Sequence, residues 1–147
     1  MNKVFTIGFT QKNAEKFFTL IKGNNIPLLV DVRLNNTSQL AAFSKYPDIV
    51  FFLKELCGCD YKHEVLFAPE ESTLNRYKKK EINWDKYVEE FSATMKDRNI
   101  KEYILDNYNS TKDICLLCSE PVPDHCHRRL ISEIFLEVFP KKEVIHL

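Results

Sequence analysis

The sequence predicts a three-layer α/β domain, a mainly parallel sheet of about five strands with helices on both faces. Two observations carry this. Short apolar runs of strand length alternate with longer stretches of helical spacing, in the order β-α-β-α-β-α-α-β-α-β, and that alternation belongs to parallel sheets. One run, Leu28-Leu29-Val30-Asp31-Val32, is almost continuously apolar, as expected of a strand covered on both sides. No linker, repeat or low-complexity segment divides the 147 residues, so residues 1–147 read as one domain.

Lys3 to Ile7 form the first strand and Gly8 opens a turn; Thr10 is the expected N-cap of a helix ending near Gly23, with Ala14, Phe17, Phe18 and Ile21 on its buried face. In the second strand Asp31 is an expensive interruption that needs a partner. Pro47 starts a second helix with Ile49, Phe52, Leu53 and Leu56 on one face and Gly58 beyond its end. A third strand is expected from Tyr61 to Phe67, with Tyr61, His63, Val65 and Phe67 sharing a face. Asn83 caps the clearest helix, whose stripe Trp84, Tyr87, Val88, Phe91 and Met95 is core material. A shorter helix spans residues 101–107. Ile114-Cys115-Leu116-Leu117-Cys118 reads as a central strand, a long helix buries Leu130, Ile131, Ile134, Phe135 and Val138, and a strand over 143–147 closes the chain.

Twenty-one basic and 21 acidic residues cancel, so net charge does not indicate nucleic acid or an anionic membrane. No apolar run reaches spanning length and the first residues do not resemble a signal peptide, which predicts a cytoplasmic protein. Five cysteines, an odd number, favour free thiols, a metal site or redox chemistry over a disulfide framework.

Ligands of open parallel sheets collect at the carboxyl ends of the strands. Gly8-Phe9-Thr10, Asp31-Val32-Arg33 and Cys118-Ser119-Glu120 all end predicted strands, so they are expected on one rim. The densest segment runs from Cys118 to Arg129. Asp124 is the expected N-cap there, placing His125, Cys126, His127 and Arg128 in a first helical turn whose unpaired N–H groups bind anions and acidify thiols. Cys118 or Cys126 is the candidate nucleophile, Glu120 and His127 the candidate proton carriers. Gly8, Thr10, Asp31, Arg33, Ser38 and Arg128 are the candidate ligand-binding residues. A purely architectural reading exists for each: Asp31 and Arg33 as a buried ion pair, Glu120 as a partner of Arg128 or Arg33.

Cys115-x-x-Cys118 followed by Cys126-His127 looks superficially like a zinc arrangement, but residues three apart on a strand face opposite ways, which assigns Cys115 to the core. Cys118, Cys126 and His127 or His125 could still supply three ligands and leave an open position, although adjacent ligands such as Cys126 and His127 are expected to splay apart on a regular helix. Cys57 and Cys59 read as packing residues, Lys78-Lys79-Lys80 as a solvated face, and His146 carries no strong signal.

Thr6-Ile7-Gly8-Phe9-Thr10, Asp31-Val32-Arg33, Phe43-Ser44, Tyr61-Lys62-His63, Cys118-Ser119-Glu120 through Cys126-His127-Arg128 and the closing His146-Leu147 together resemble the bacterial and archaeal proteins grouped as domain of unknown function 488. Members often carry Pro and Arg where this chain has Asn36 and Gln39; the resemblance implies an α/β fold and a shared pocket, and no activity, substrate or cofactor. Two functions stay open. One is an enzyme or ligand-binding domain for a small anionic, nucleotide-like molecule held by Arg33, Arg128 and the helix start. The other is a noncatalytic metal-binding or redox-sensing interaction domain using Cys118, Cys126 and His127. Oligomeric state and partners are not legible.

Overall fold

The computed structural model describes residues 3–37, 41–109, 112–120 and 123–147. Among them five strands form one sheet in the order β3-β2-β4-β1-β5, every neighbouring pair parallel. In chain order the elements are β1 (Lys3–Gly8), α1 (Ala14–Gly23), β2 (Leu28–Asp31), α2 (Asp48–Cys57), β3 (Asp60–His63), α3 (Glu71–Lys78), α4 (Trp84–Asp97), α5 (Ile100–Asn107), β4 (Ile114–Cys118), α6 (His127–Val138) and β5 (Glu143–His146), with short 3-10 turns at Ala42–Ser44 and Val65–Phe67.

The strand pleat divides the core in two. Phe5, Ile7, Leu29, Cys115 and Leu117 pack with Phe17, Phe18 and Ile21 of α1 and Ile49 and Leu53 of α2. On the other face Val4, Val30, Leu116 and Cys118 meet Tyr87, Phe91 and Met95 of α4, Ile104 of α5 and Ile131 and Phe135 of α6. Each fully buried large apolar side chain contributes about 1.5–3 kcal/mol, so both layers are strongly driven. β4 lies fully buried at the centre, and its alternation sends Cys115 to the α1/α2 side and Cys118 to the α4–α6 side.

Several local expectations are corrected. Asn13, not Thr10, caps α1, accepting from the Lys16 backbone N–H, and Ala14 is exposed. Thr10 instead hydrogen-bonds to the Ser119 carbonyl through both its N–H and its hydroxyl, which pulls it out of the helix. Leu56 is exposed although Ile49 and Leu53 are buried. The third strand stops at His63: its pairing with β2 ends at Asp31, and residues 65–67 turn into a 3-10 segment with Val65 exposed. Residues 71–78, where no helix was expected, form α3. Asn83 caps α4 as expected, through its side chain and Lys86 N–H.

The largest correction is at α6. The helix begins at His127 with Cys126 as N-cap, whose extended backbone (φ −135°, ψ 137°) leaves it outside the helical turn. Cys126 N–H donates to the Pro123 carbonyl at 3.2 Å, so residues 123–126 close a turn of their own, and Asp124 lies exposed in that turn rather than capping the helix.

Candidate functional site

β1 and β4 are adjacent, yet α1 leaves the end of β1 toward one face and α6 follows β4 on the other. The loops therefore diverge between these two strands, the geometry in which parallel sheets form a crevice. Gly8 pairs in register with Cys118, Asp31 pairs with Leu117 and His63, and Val32 N–H continues the ladder to the Leu117 carbonyl at 3.0 Å. Gly8, Asp31, Arg33, Cys118, Glu120 and Arg128 thus share one edge of the sheet. Ser38 lies outside the described residues.

That edge holds two separate polar systems, one beneath each face. On the α1/α2 side Arg33 grips Asp31 with both prongs, Nε to Oδ1 at 2.8 Å and Nη2 to Oδ2 at 2.7 Å. Arg33 N–H also donates to Oδ1, and the Tyr61 hydroxyl donates to Oδ2 at 2.6 Å. The remaining guanidinium donors reach Ser44, carbonyl at 2.7 Å and hydroxyl at 3.3 Å, and the guanidinium lies 5.3 Å from the centre of the Phe9 ring. His63 Nε2–H donates to the Arg33 carbonyl at 2.7 Å. The interrupting aspartate is thereby explained: it is the centre of a buried, charge-compensated network in which each guanidinium nitrogen of Arg33 has a protein partner. Tyr61 and Ser44, which complete this network, carry no signal in the sequence beyond the family resemblance.

On the α4–α6 side Cys118 (3% exposed), Cys126 (2%), His127 (6%) and Arg128 (0%) are packed together. His127 Nε2 is 2.7 Å from the Val32 carbonyl, which can only accept, so Nε2 carries a proton and Nδ1 faces the Cys118 sulfur at 3.5 Å. Hydrogen bonding from Cys126 holds the Cys118 thiol well below its usual value; burial opposes this, and the His127 charge and the Ser119 N–H support it. Burial and the neighbouring Cys118 push Cys126 well up. Burial pulls the His127 value down, but the Cys118 charge, the Val32 carbonyl and Asp31 together raise it. Of the two neighbouring sulfurs, Cys118 is thus the one shifted toward the thiolate and Cys126 the one shifted toward the thiol, with the His127 ring beside Cys118. Phe91 and Tyr87 line the cluster, the Phe91 ring 5.9 Å from the imidazole, and keep its surroundings apolar.

Arg128 points the other way from its helix, over β1. Its Nε contacts the Thr6 hydroxyl at 3.4 Å, Nη1 donates to the Glu120 backbone carbonyl, and Nη2 is buried without a hydrogen-bond partner among the described residues. No carboxylate pairs with it among the described residues. The exposed Glu120 contributes its carbonyl alone, so the expected Glu120 pairing with Arg128 or Arg33 does not form. Gly8 makes this approach geometrically feasible: a Cβ there would stand 1.6 Å from the Glu120 oxygen and 2.7 Å from Arg128 Nη1. Other cations gather nearby. Burial, Arg128 and Lys16 lower the Lys12 value, and burial and Arg128 lower that of His146, whose Nδ1 is 2.6 Å from the Thr6 hydroxyl. His146 was set aside in the sequence because only its pairing opposite Thr6 in β5 brings it here.

Sequence reasoning placed these candidates on one edge, where they lie, but in one site, whereas the sheet separates Arg33 from Arg128. It also expected Cys126 and His127 to diverge. They converge because the cap residue is extended and only His127 is helical. A cavity of 610 Å³ beside Met95, Ile100 and Ile134 and a groove of 330 Å³ between α1 and α2 lie away from this cluster. No helix among the described residues is long and apolar enough to cross a membrane.

No curated protein and no solved structure matches the chain. The model of the family described as Domain of unknown function DUF488 matches residues 13–135, well over half of the sequence and including Asp31, Arg33 and the whole Cys118–Arg128 segment, and the chain belongs to that family.

Proposed function

We propose that this domain binds a small anionic molecule at the end of β1 and the start of α6, with Arg128 as the anchor and the Cys118, Cys126 and His127 cluster as the reacting centre beside it. The carrying observation is the buried Arg128 guanidinium, which among the described residues has no carboxylate partner and one nitrogen without any hydrogen-bond partner. Arginine is rarely buried unless paired, because desolvating an uncompensated charge costs several kcal/mol. Lys12 extends the positive field, and the α6 N-terminus adds its dipole. A phosphate or carboxylate supplies the missing charge and accepts the fork of a guanidinium. Arg33 is outside this proposal because Asp31 and Ser44 occupy it.

The test is calorimetric titration and thermal shift with phosphate, sulfate and nucleoside phosphates. Wild type is expected to bind at least one of them. Loss of one charged hydrogen bond in Arg128→Ala should weaken binding about ten- to a hundredfold, and Arg128→Lys should restore it only in part, because the fork is lost. Equal affinity in wild type and Arg128→Ala would sink the proposal.

A further inference from the structure

We infer that Cys118, Cys126 and His127 form a binding site for one thiophilic divalent cation of the zinc class, with three protein ligands and an open fourth position. The inference does not depend on Arg128 or its anion. Cys118 Sγ, Cys126 Sγ and a ring nitrogen of His127 all lie within 4.8 Å of one another, and all three side chains are buried. Bond lengths of roughly 2.3 Å to sulfur and 2.0–2.1 Å to nitrogen at tetrahedral angles place a sulfur and a nitrogen about 3.5 Å apart. Cys118 Sγ and His127 Nδ1 are 3.5 Å apart.

The imidazole is also oriented as a ligand requires. A metal-bound histidine usually donates its other ring N–H to a carbonyl or carboxylate, which sets tautomer and ring direction. Here Nε2 is held by the Val32 carbonyl at 2.7 Å, leaving Nδ1 for the ion. The three ligands come from the end of β4, the α6 cap and the first residue of α6. Two sulfurs and one imidazole select zinc-class ions over magnesium or calcium, which take oxygen. Cys115, on the opposite face of β4, is excluded from the set. Two thiolates bound to a divalent cation leave no net charge, so the centre tolerates burial. The described residues supply three ligands, so the fourth position is left for water or a small ligand, the arrangement of catalytic rather than structural zinc.

The chelator-stripped full chain is titrated with cobalt(II) and then zinc. One equivalent of cobalt should produce thiolate-to-cobalt charge-transfer absorption and the intense visible bands of a four-coordinate ion, and zinc should abolish both. Cys118→Ser and Cys126→Ser should each weaken binding about a hundredfold or more, whereas Cys57→Ser, in the other cysteine pair, should leave it unchanged. Because the buried variants can fail to fold, wild type carries a second readout. In urea sufficient to open the apo chain, zinc should protect Cys118 and Cys126 from alkylation, as mapped by mass spectrometry. Absence of charge transfer, or protection falling on Cys57 and Cys59 or on no cysteine, overturns the site. Metal uptake without an anion response, or the reverse, separates this inference from the Arg128 reading.

Discussion

Arg33 and Arg128 are both buried at the same edge of the sheet, one beneath each face, and their surroundings treat the charge in opposite ways. Asp31 meets Arg33 with two oxygens, Ser44 takes its other donors, and Tyr61 and Asn36 continue the network outward. Among the described residues Arg128 meets only a hydroxyl and a backbone carbonyl. Compensation inside the fold marks Arg33 as architecture. The absence of a carboxylate around Arg128 among the described residues marks it as the residue whose partner comes from elsewhere. Burial alone distinguishes nothing here, since both are almost inaccessible; the partner inventory does.

The contrast is broken most sharply by removing one half of the compensated pair. Asp31→Asn leaves the Arg33 charge buried beside a neutral group and should lower unfolding free energy by about 3–5 kcal/mol. Arg128→Met, which removes an uncompensated charge and keeps an apolar stem, should cost less than about 1 kcal/mol or stabilise, by the same logic. Guanidinium denaturation of both variants decides the matter: similar losses would mean that Arg128 is as structural as Arg33.

Gly8→Ala acts on the packing around Arg128 without touching charge. Its methyl group would overlap the Glu120 carbonyl, so the β4–α6 connection must shift. The expected cost is roughly 1–3 kcal/mol, as for overpacking elsewhere, together with loss of the anion-dependent thermal shift. Retention of that shift at wild-type size would show that the close approach of Glu120 and Gly8 plays no part in the site.

The smallest effect sharpens the comparison through pH. His146 has its value lowered by partial burial and by Arg128 and Arg129. In the window below its ordinary value the unfolded chain binds the proton more readily than the native one, so this contribution is complete above about pH 6.5 and is lost as pH falls through the folded value. An anion on Arg128 offsets the repulsion, so NMR titration should show the His146 value rising when phosphate is added and also rising in Arg128→Met. A value insensitive to both would separate His146 from the cationic cluster.

Periodicity was sufficient to recognise α4, with its Asn83 cap, and β4, whose five apolar residues admit little but a central strand. It also brought the strand ends to one edge, because parallel connectivity puts every carboxyl end on the same side. Where it went wrong, a distant partner intervened. Thr10 has the chemistry of a cap but bonds to Ser119, more than a hundred residues away; Asp124 resembles a cap but is bypassed by the turn from Pro123 to Cys126. The β3 strand is shorter than its alternation suggests because β2 offers only four partners.

The amino-acid sequence by itself determined the five strands and five of the six helices, though not all of their ends, that Cys115 and Cys118 face opposite ways, and that the unusual residues gather at one end of the sheet. These follow from pleat and helix periods, which are local. Only the tertiary structure decided that Asp31 compensates Arg33 while no carboxylate among the described residues compensates Arg128, that Thr6 and His146 join it, and that Cys126 and His127 converge on Cys118. Those outcomes depend on strand order, which sets the face each side chain shares with strangers in sequence, and on one extended cap residue, whose backbone no periodicity reports.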